Sequence, residues 1–173
     1  TASGNTVDYG YAGAQTVKGT TYANLTLSVS GAKTTTGSTV TGVLSIEGTA
    51  TISGTVPAWS GTAYTLQYKT TDTRTVGAEW TTPFAGTGGV IIANPSGTIT
   101  LNAAKVFNAS VPLTIQSGAT LAMSTYLLTL NGNLINNGGT ASGTTGGITI
   151  TGTATQSIGV FTTTGAVSMT KTA

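Results

Sequence analysis

Short motifs return along this chain in the same order, and any fold it adopts must repeat with them. Tyr9 is followed at a fixed spacing by Gln15-Thr16-Val17, Tyr68 by Arg74-Thr75-Val76, and Ile150 by Gln156-Ser157-Ile158. The segment Leu27 to Lys33 matches Ile99 to Lys105 without a gap, with a shorter echo at Val167 to Lys171, and Leu44 to Ser53 matches Leu113 to Ala122. The intervals are uneven: Val76 to Ile158 is a much longer stretch than Val17 to Val76. A fold that repeats must therefore absorb insertions. In a parallel β-helix each coil contacts only its neighbours, and extra residues bulge from a corner without disturbing the stack. A sandwich would have to fit them into a fixed strand count. The expected fold is all-β, a right-handed parallel β-helix (β-solenoid), with a β-sandwich or jelly roll as the alternative. It forms one solenoid segment over residues 1–173, with modules at 3–60, 61–141 and a truncated 142–173. Coils of roughly 20 residues give about eight turns and a rod of roughly 40 Å.

Local patterning agrees. Thr, Val, Ile and Tyr favour strands because branched and planar side chains pack well on a pleated surface. Apolar and hydroxyl residues alternate at the two-residue strand period, which predicts that Leu25, Leu27, Leu44, Ile46, Ile99, Leu101, Leu113, Ile115, Leu128, Leu130, Ile148 and Ile150 point inward. Gly and Asn interrupt the bursts where turns need positive φ, as at Ser53-Gly54 and Asn131-Gly132-Asn133. The bursts are shorter than the roughly 9 to 11 residues of a membrane-barrel strand.

Only 6 % of the 173 residues are charged, whereas Thr, Ser and Gly number 41, 14 and 25. Hydroxyls rather than charges must solvate this surface. There is no His and no Cys, which removes imidazole bases, thiol nucleophiles, disulfides and zinc sites built from them. The expectation is a protein that is not an enzyme, with no cofactor and no metal. Lys18, Lys33, Lys69, Arg74, Lys105 and Lys171 are scattered singly, so no run tracks a phosphate backbone and nucleic acid is not expected as a partner. No stretch approaches the ~20 apolar residues of a membrane helix, so no membrane insertion is expected either.

Candidate chemistry is sparse. The acids are Asp8, Glu47, Asp72 and Glu79, and a glycosidase would need two of them facing each other across a cleft. Trp59, Tyr64, Tyr68, Trp80 and Tyr126 form the one candidate ligand platform, since amphipathic rings stack on sugars. The competing reading of these rings, with Phe84, is that they fill a widened coil. Asn24-Leu25-Thr26 and Asn108-Ala109-Ser110 match the glycosylation acceptor pattern. Thr-x-Thr pairs occur at Thr49/Thr51, Thr71/Thr73/Thr75, Thr98/Thr100 and Thr151/Thr153/Thr155. They resemble the outward arrays of ice-binding proteins, but in the sequence they do not recur at one coil period.

The stretches YANLTLSVSGAKTTTGSTVTGVLSIEGTATIS, TLQYKTTDTRTVGAEW and YLLTLNGNLINNGGTASGTTGGITITGTATQSI, with Gly97 to Lys105, resemble the repeat regions of large Bacteroidetes surface proteins. The likeness covers nearly the whole chain. Such proteins are adhesin-like or filamentous exoproteins, cargo of the type IX secretion route, and the resemblance implies β-solenoid repeats with no catalytic residues to carry over. The expected function is an extracellular structural repeat module of a bacterial surface adhesin or filament, located outside the cell or on its surface. A ligand-binding solenoid for carbohydrate or ice is the alternative. The expected partners are further copies of the same repeat stacked head to tail, with open strand edges at residues 1–11 and 160–173, together with surface glycans.

Overall fold

The computed structural model describes residues 4–172; Thr1, Ala2, Ser3 and Ala173, which include the first residue of the first module, lie outside the described residues. The chain is a β-solenoid of about eight turns, without helices among the described residues. Every named strand pairing is parallel, as a chain winding repeatedly in one sense demands.

Three faces follow one another around each turn. Face 1 is continuous, running through Thr6–Tyr9, Asn24–Leu27, Val43–Ser53, Thr65–Thr70, Gly89–Ile92, Leu113–Ile115 and Leu134–Asn136, with Leu134 bridging to Ile158. Face 2 is split. Gln15–Thr16, Ser30–Thr34 and the second half of Val43–Ser53 form its first part. Arg74–Thr75, Ile99–Thr100, Thr120–Ser124, Thr140–Gly143 and Thr162–Thr163 form its second. Face 3 begins with Thr21–Tyr22, Thr39–Val40 and Ala58–Trp59. After a Phe84–Phe107 bridge it continues through Lys105–Val106, Leu128–Leu130, Ile148–Gly152 and Val167–Lys171. Gly48 turns the long Val43–Ser53 strand around the corner from face 1 to face 2 with φ +61°; a Cβ there would lie 2.5 Å from Val29 O.

All twelve residues expected to point inward are buried, the most exposed being Ile150 at 6 %. They stack in columns along the axis. On face 1, Leu25, Leu44, Leu66, Val90, Leu113 and Leu134 lie in successive register, and on face 3 Leu128 and Leu130 lie under Ile148 and Ile150. Each such side chain, shielded from water, contributes roughly 1.5 to 3 kcal/mol.

Coil length varies while coil rise does not. On face 1, Val7 is in register with Leu25, Leu25 with Leu44, Leu44 with Leu66 and Leu66 with Val90, and each of these turns takes more chain than the one before it. The wider turns need more filling, and aromatic rings supply it. Trp59 stacks on Tyr64 at 4.5 Å, both meet Phe84 edge-on, and Phe84, Phe107, Trp80 and Tyr68 continue the contact chain at 5.9 to 6.3 Å.

The sequence matches take on a structural meaning here. Leu44 to Ser53 and Leu113 to Ala122 both run from face 1 to face 2, but Leu27 to Lys33 does so while Ile99 to Lys105 runs from face 2 to face 3. The motif has moved by one face. Its lysine nevertheless does the same work in each copy, donating to a carbonyl of the preceding turn: Lys33 Nζ to Tyr11 O (2.6 Å), Lys105 Nζ to Trp80 O (2.8 Å) and Lys171 Nζ to Ala154 O. Lys33 and Lys171 also reach a glutamine Oε1, that of Gln15 and Gln156 respectively. The boundary drawn between residues 141 and 142 falls inside the strand Thr140–Gly143.

Candidate functional site

Four of the five platform rings are drawn together, and they are drawn inward. Tyr68 and Trp80 are essentially inaccessible, Tyr64 is buried and Trp59 half-buried, so most of this aromatic chain is turned into the lumen. Tyr126 lies at a corner, 37 % exposed, without a ring contact to them among the described residues. The rings are where they are because the turns widen there.

The acids divide into two settings. Asp8 and Glu47 lie on the outside of face 1, where Asp8 Oδ1 accepts from Ser28 Oγ (2.7 Å), and Glu47 accepts from Ser45 Oγ and pairs with Lys69 at 3.6 Å. Asp72 and Glu79 share a cleft of about 180 Å³ at the split in face 2, with Ile46, Thr51, Ile52, Arg74, Thr75 and Gly77 around them. Arg74 sits across it, paired with Asp72 at 2.6 Å and donating to Ala50 O at 2.7 Å. Glu79 is buried; its Oε1 accepts from Tyr68 Oη (2.7 Å) and from Gly77 N (2.8 Å). Both carboxylates are thus tied into the wall of the coil.

Buried ionisable groups respond to their surroundings. Burial and the adjacent Glu79 carboxylate push the Tyr68 phenol well above its usual range. Burial holds the Lys33 and Lys105 ammonium groups below theirs, with Asp8 and Glu79 respectively opposing the shift. Tyr22 is raised by burial and by its hydrogen bond with Tyr9, 2.8 Å between the hydroxyls. These groups hold turns together at the lumen wall. Among the described residues no cluster of His, Cys, Asp or Glu could hold a metal ion. Asn24 is likewise structural, accepting from Val43 N at 2.9 Å and donating to Gly4 O at 3.2 Å.

The threonine pairs form a regular surface on face 2. On the second part of face 2, Thr75 pairs with Thr100, Thr100 with Ala122, Ala122 with Ser142 and Ser142 with Thr162. Two positions earlier along each strand runs a second column, where Thr98 N donates to Thr73 Oγ1 and Thr120 pairs with Thr140. Between the two lies the inward column Arg74, Ile99, Leu121 and Ala141. Successive coils thus present Thr-x-Thr, Thr-x-Thr, Thr-x-Ala, Thr-x-Ser and Val-x-Thr side by side.

Fold and surface together define a β-solenoid repeat protein. Comparison of the chain with family models, curated proteins and solved structures finds no match.

Proposed function

We propose that the chain is a structural repeat module of an extracellular surface adhesin or filament, non-catalytic, whose work is to extend and display. The observation that carries this reading is the state of the last turn. Val167 and Met169 occupy the inward columns of Ile148 and Ile150, yet they are 55 % and 69 % exposed. In the turns below them those columns are buried. Val167–Lys171 and Thr162–Thr163 each pair on one side alone, and at the other end Thr6–Tyr9, Gln15–Thr16 and Thr21–Tyr22 do the same, in the same face order. A further coil laid on Val167–Lys171 would bury apolar side chains and satisfy strand edges at once, and the occupant we assign is another copy of the repeat stacked head to tail. The resemblance to Bacteroidetes surface repeats supports an exported fibre and type IX export.

Two copies joined in tandem test this reading. Small-angle scattering should return one stiff rod of about twice the single-copy length, with the first copy's Val167–Lys171 amides newly protected from exchange. Two rods swivelling about a joint, with those amides unprotected, would refute the stacking. Glycoside turnover abolished by Asp72→Asn would refute the non-catalytic assignment.

A further inference from the structure

The threonine columns of face 2 carry an inference independent of the fibre reading, and neither depends on the other. Thr75, Thr98, Thr100, Thr120, Thr140 and Thr162 make no side-chain hydrogen bond within the described chain. Several threonine hydroxyls elsewhere are tied down: Thr34 to Ser53 (3.0 Å), Thr149 to Ser168 (2.9 Å), Thr35 to Thr55 O (2.7 Å) and Thr144 to Ser124 O (2.9 Å). On this face the six hydroxyls are left to an outside partner, in rows. They are also fixed in place. Backbone bonds from Arg74 N to Thr98 O, Val76 N to Thr100 O, Leu101 N to Ala122 O and Thr140 N to Ala119 O, at 2.8 to 3.0 Å, lock the rows together. The β-branched side chains have few rotamers to lose. Rows lie ~4.8 Å apart and the two columns ~6.6 Å apart, two positions along a strand.

We propose that this face binds ice, the ordered lattice of water at a crystal surface. One hydroxyl gains almost nothing by exchanging liquid water for ice, because either partner satisfies it. A rigid two-dimensional array gains collectively, since every row that meets the lattice in register adds its contact without further ordering cost. The threonine methyls between the hydroxyls add apolar surface, beside which water is already orientationally restricted. The columns hold no charged side chain that would impose its own hydration shell. They hold no aromatic ring either, which argues against a crystalline polysaccharide as the ligand.

The test is uptake of the whole chain into slowly growing polycrystalline ice, together with the habit of a single ice crystal grown in its presence. The native chain should be enriched in the ice fraction over an inert bystander of similar size, and should facet the crystal. Thr100→Tyr should fall to the bystander level, as should the shape-conserving pair Thr100→Val with Thr140→Val should the tyrosine variant lose its native circular dichroism. Thr114→Tyr, on the outside of face 1, should behave as the native chain does. Exclusion of the native chain from ice, uptake unchanged in a folded Thr100→Tyr variant, or equal loss in Thr114→Tyr would overturn the proposal. So would binding to crystalline cellulose or chitin, or lateral pairing of two copies through face 2, without ice uptake.

Discussion

Ile91 and Ile92 are adjacent residues of one type on one strand, and they face opposite ways. Ile92 is fully buried, between Tyr68 and Ile115 in the inward column of face 1; Ile91 is half-buried on the outside, between Gln67 and Thr114. Truncating each to alanine removes the same atoms from two environments. Ile92→Ala leaves a hole between rigid neighbouring turns that cannot collapse without breaking register, so the loss is about 2 to 5 kcal/mol. Ile91→Ala forfeits partial burial and β-propensity, together under about 1 kcal/mol. For a denaturant slope near about 2 kcal/mol per molar, the first shifts the urea midpoint down by about 1 M or more and the second by less than half that. Because each coil touches only its neighbours, the damage should also be local. Amides of Thr65–Thr70, Gly89–Ile92 and Leu113–Ile115 should exchange faster in Ile92→Ala, while those of Asn24–Leu27 stay as protected as in the native chain. Equal losses for the two variants would mean that the face assignment is wrong. A uniform rise in exchange along the rod would refute coil-by-coil coupling.

Gly97→Ala should lower the thermal midpoint clearly, because φ is +71° and the new Cβ would run into Asp72 O, whereas Gly61→Ala, with φ +78° and open space, should bear the backbone strain alone. Tyr68 has its folded pKa raised, so its stabilisation is complete below the unfolded value of about 10 and is lost as pH rises beyond it; Tyr68→Phe should flatten that decline in denaturation followed from about pH 9 to 11. Lys105 has its folded pKa lowered, so it makes stability rise with pH from the lowered value up to about 10.4, and Lys105→Met should remove that rise over the same titration.

The inward positions were legible because strand alternation is a local property that survives any change in coil length: Leu44-Ser45-Ile46 and Leu113-Thr114-Ile115 read the same way wherever they stand. Solenoid winding was legible because motif order survives insertions. The motif from Leu27 to Lys33 reads as one step of a long module, but it belongs to a corner, which is why its copy at Ile99 to Lys105 turns up on another face. A lysine that must reach the carbonyls of the turn below fits any corner with that geometry, so the match reports local hydrogen bonding and not position around the coil. The aromatic residues allow two readings in the sequence for a related reason. Trp59 and Trp80 look like a surface platform because large rings in a threonine-rich chain stand out. Yet the turns they occupy, from Leu44 to Leu66 and from Leu66 to Val90, are longer than those before them and leave a wide lumen to fill.

The threonine array shows the same separation between sequence period and spatial period from the other side. The stretch from Thr75 to its partner Thr100 is longer than that from Thr100 to Ala122, which is longer again than those from Ala122 to Ser142 and from Ser142 to Thr162. No single period runs through all four intervals. In the solenoid each corner takes up its own surplus, and strand pairing resets the rise to ~4.8 Å at every turn. Coil length is then free to drift, through insertions that widen the lumen and draw in Phe84 and Phe107, while the outward lattice of one face stays in register. A rod built this way can change its girth without changing the spacing of what it displays.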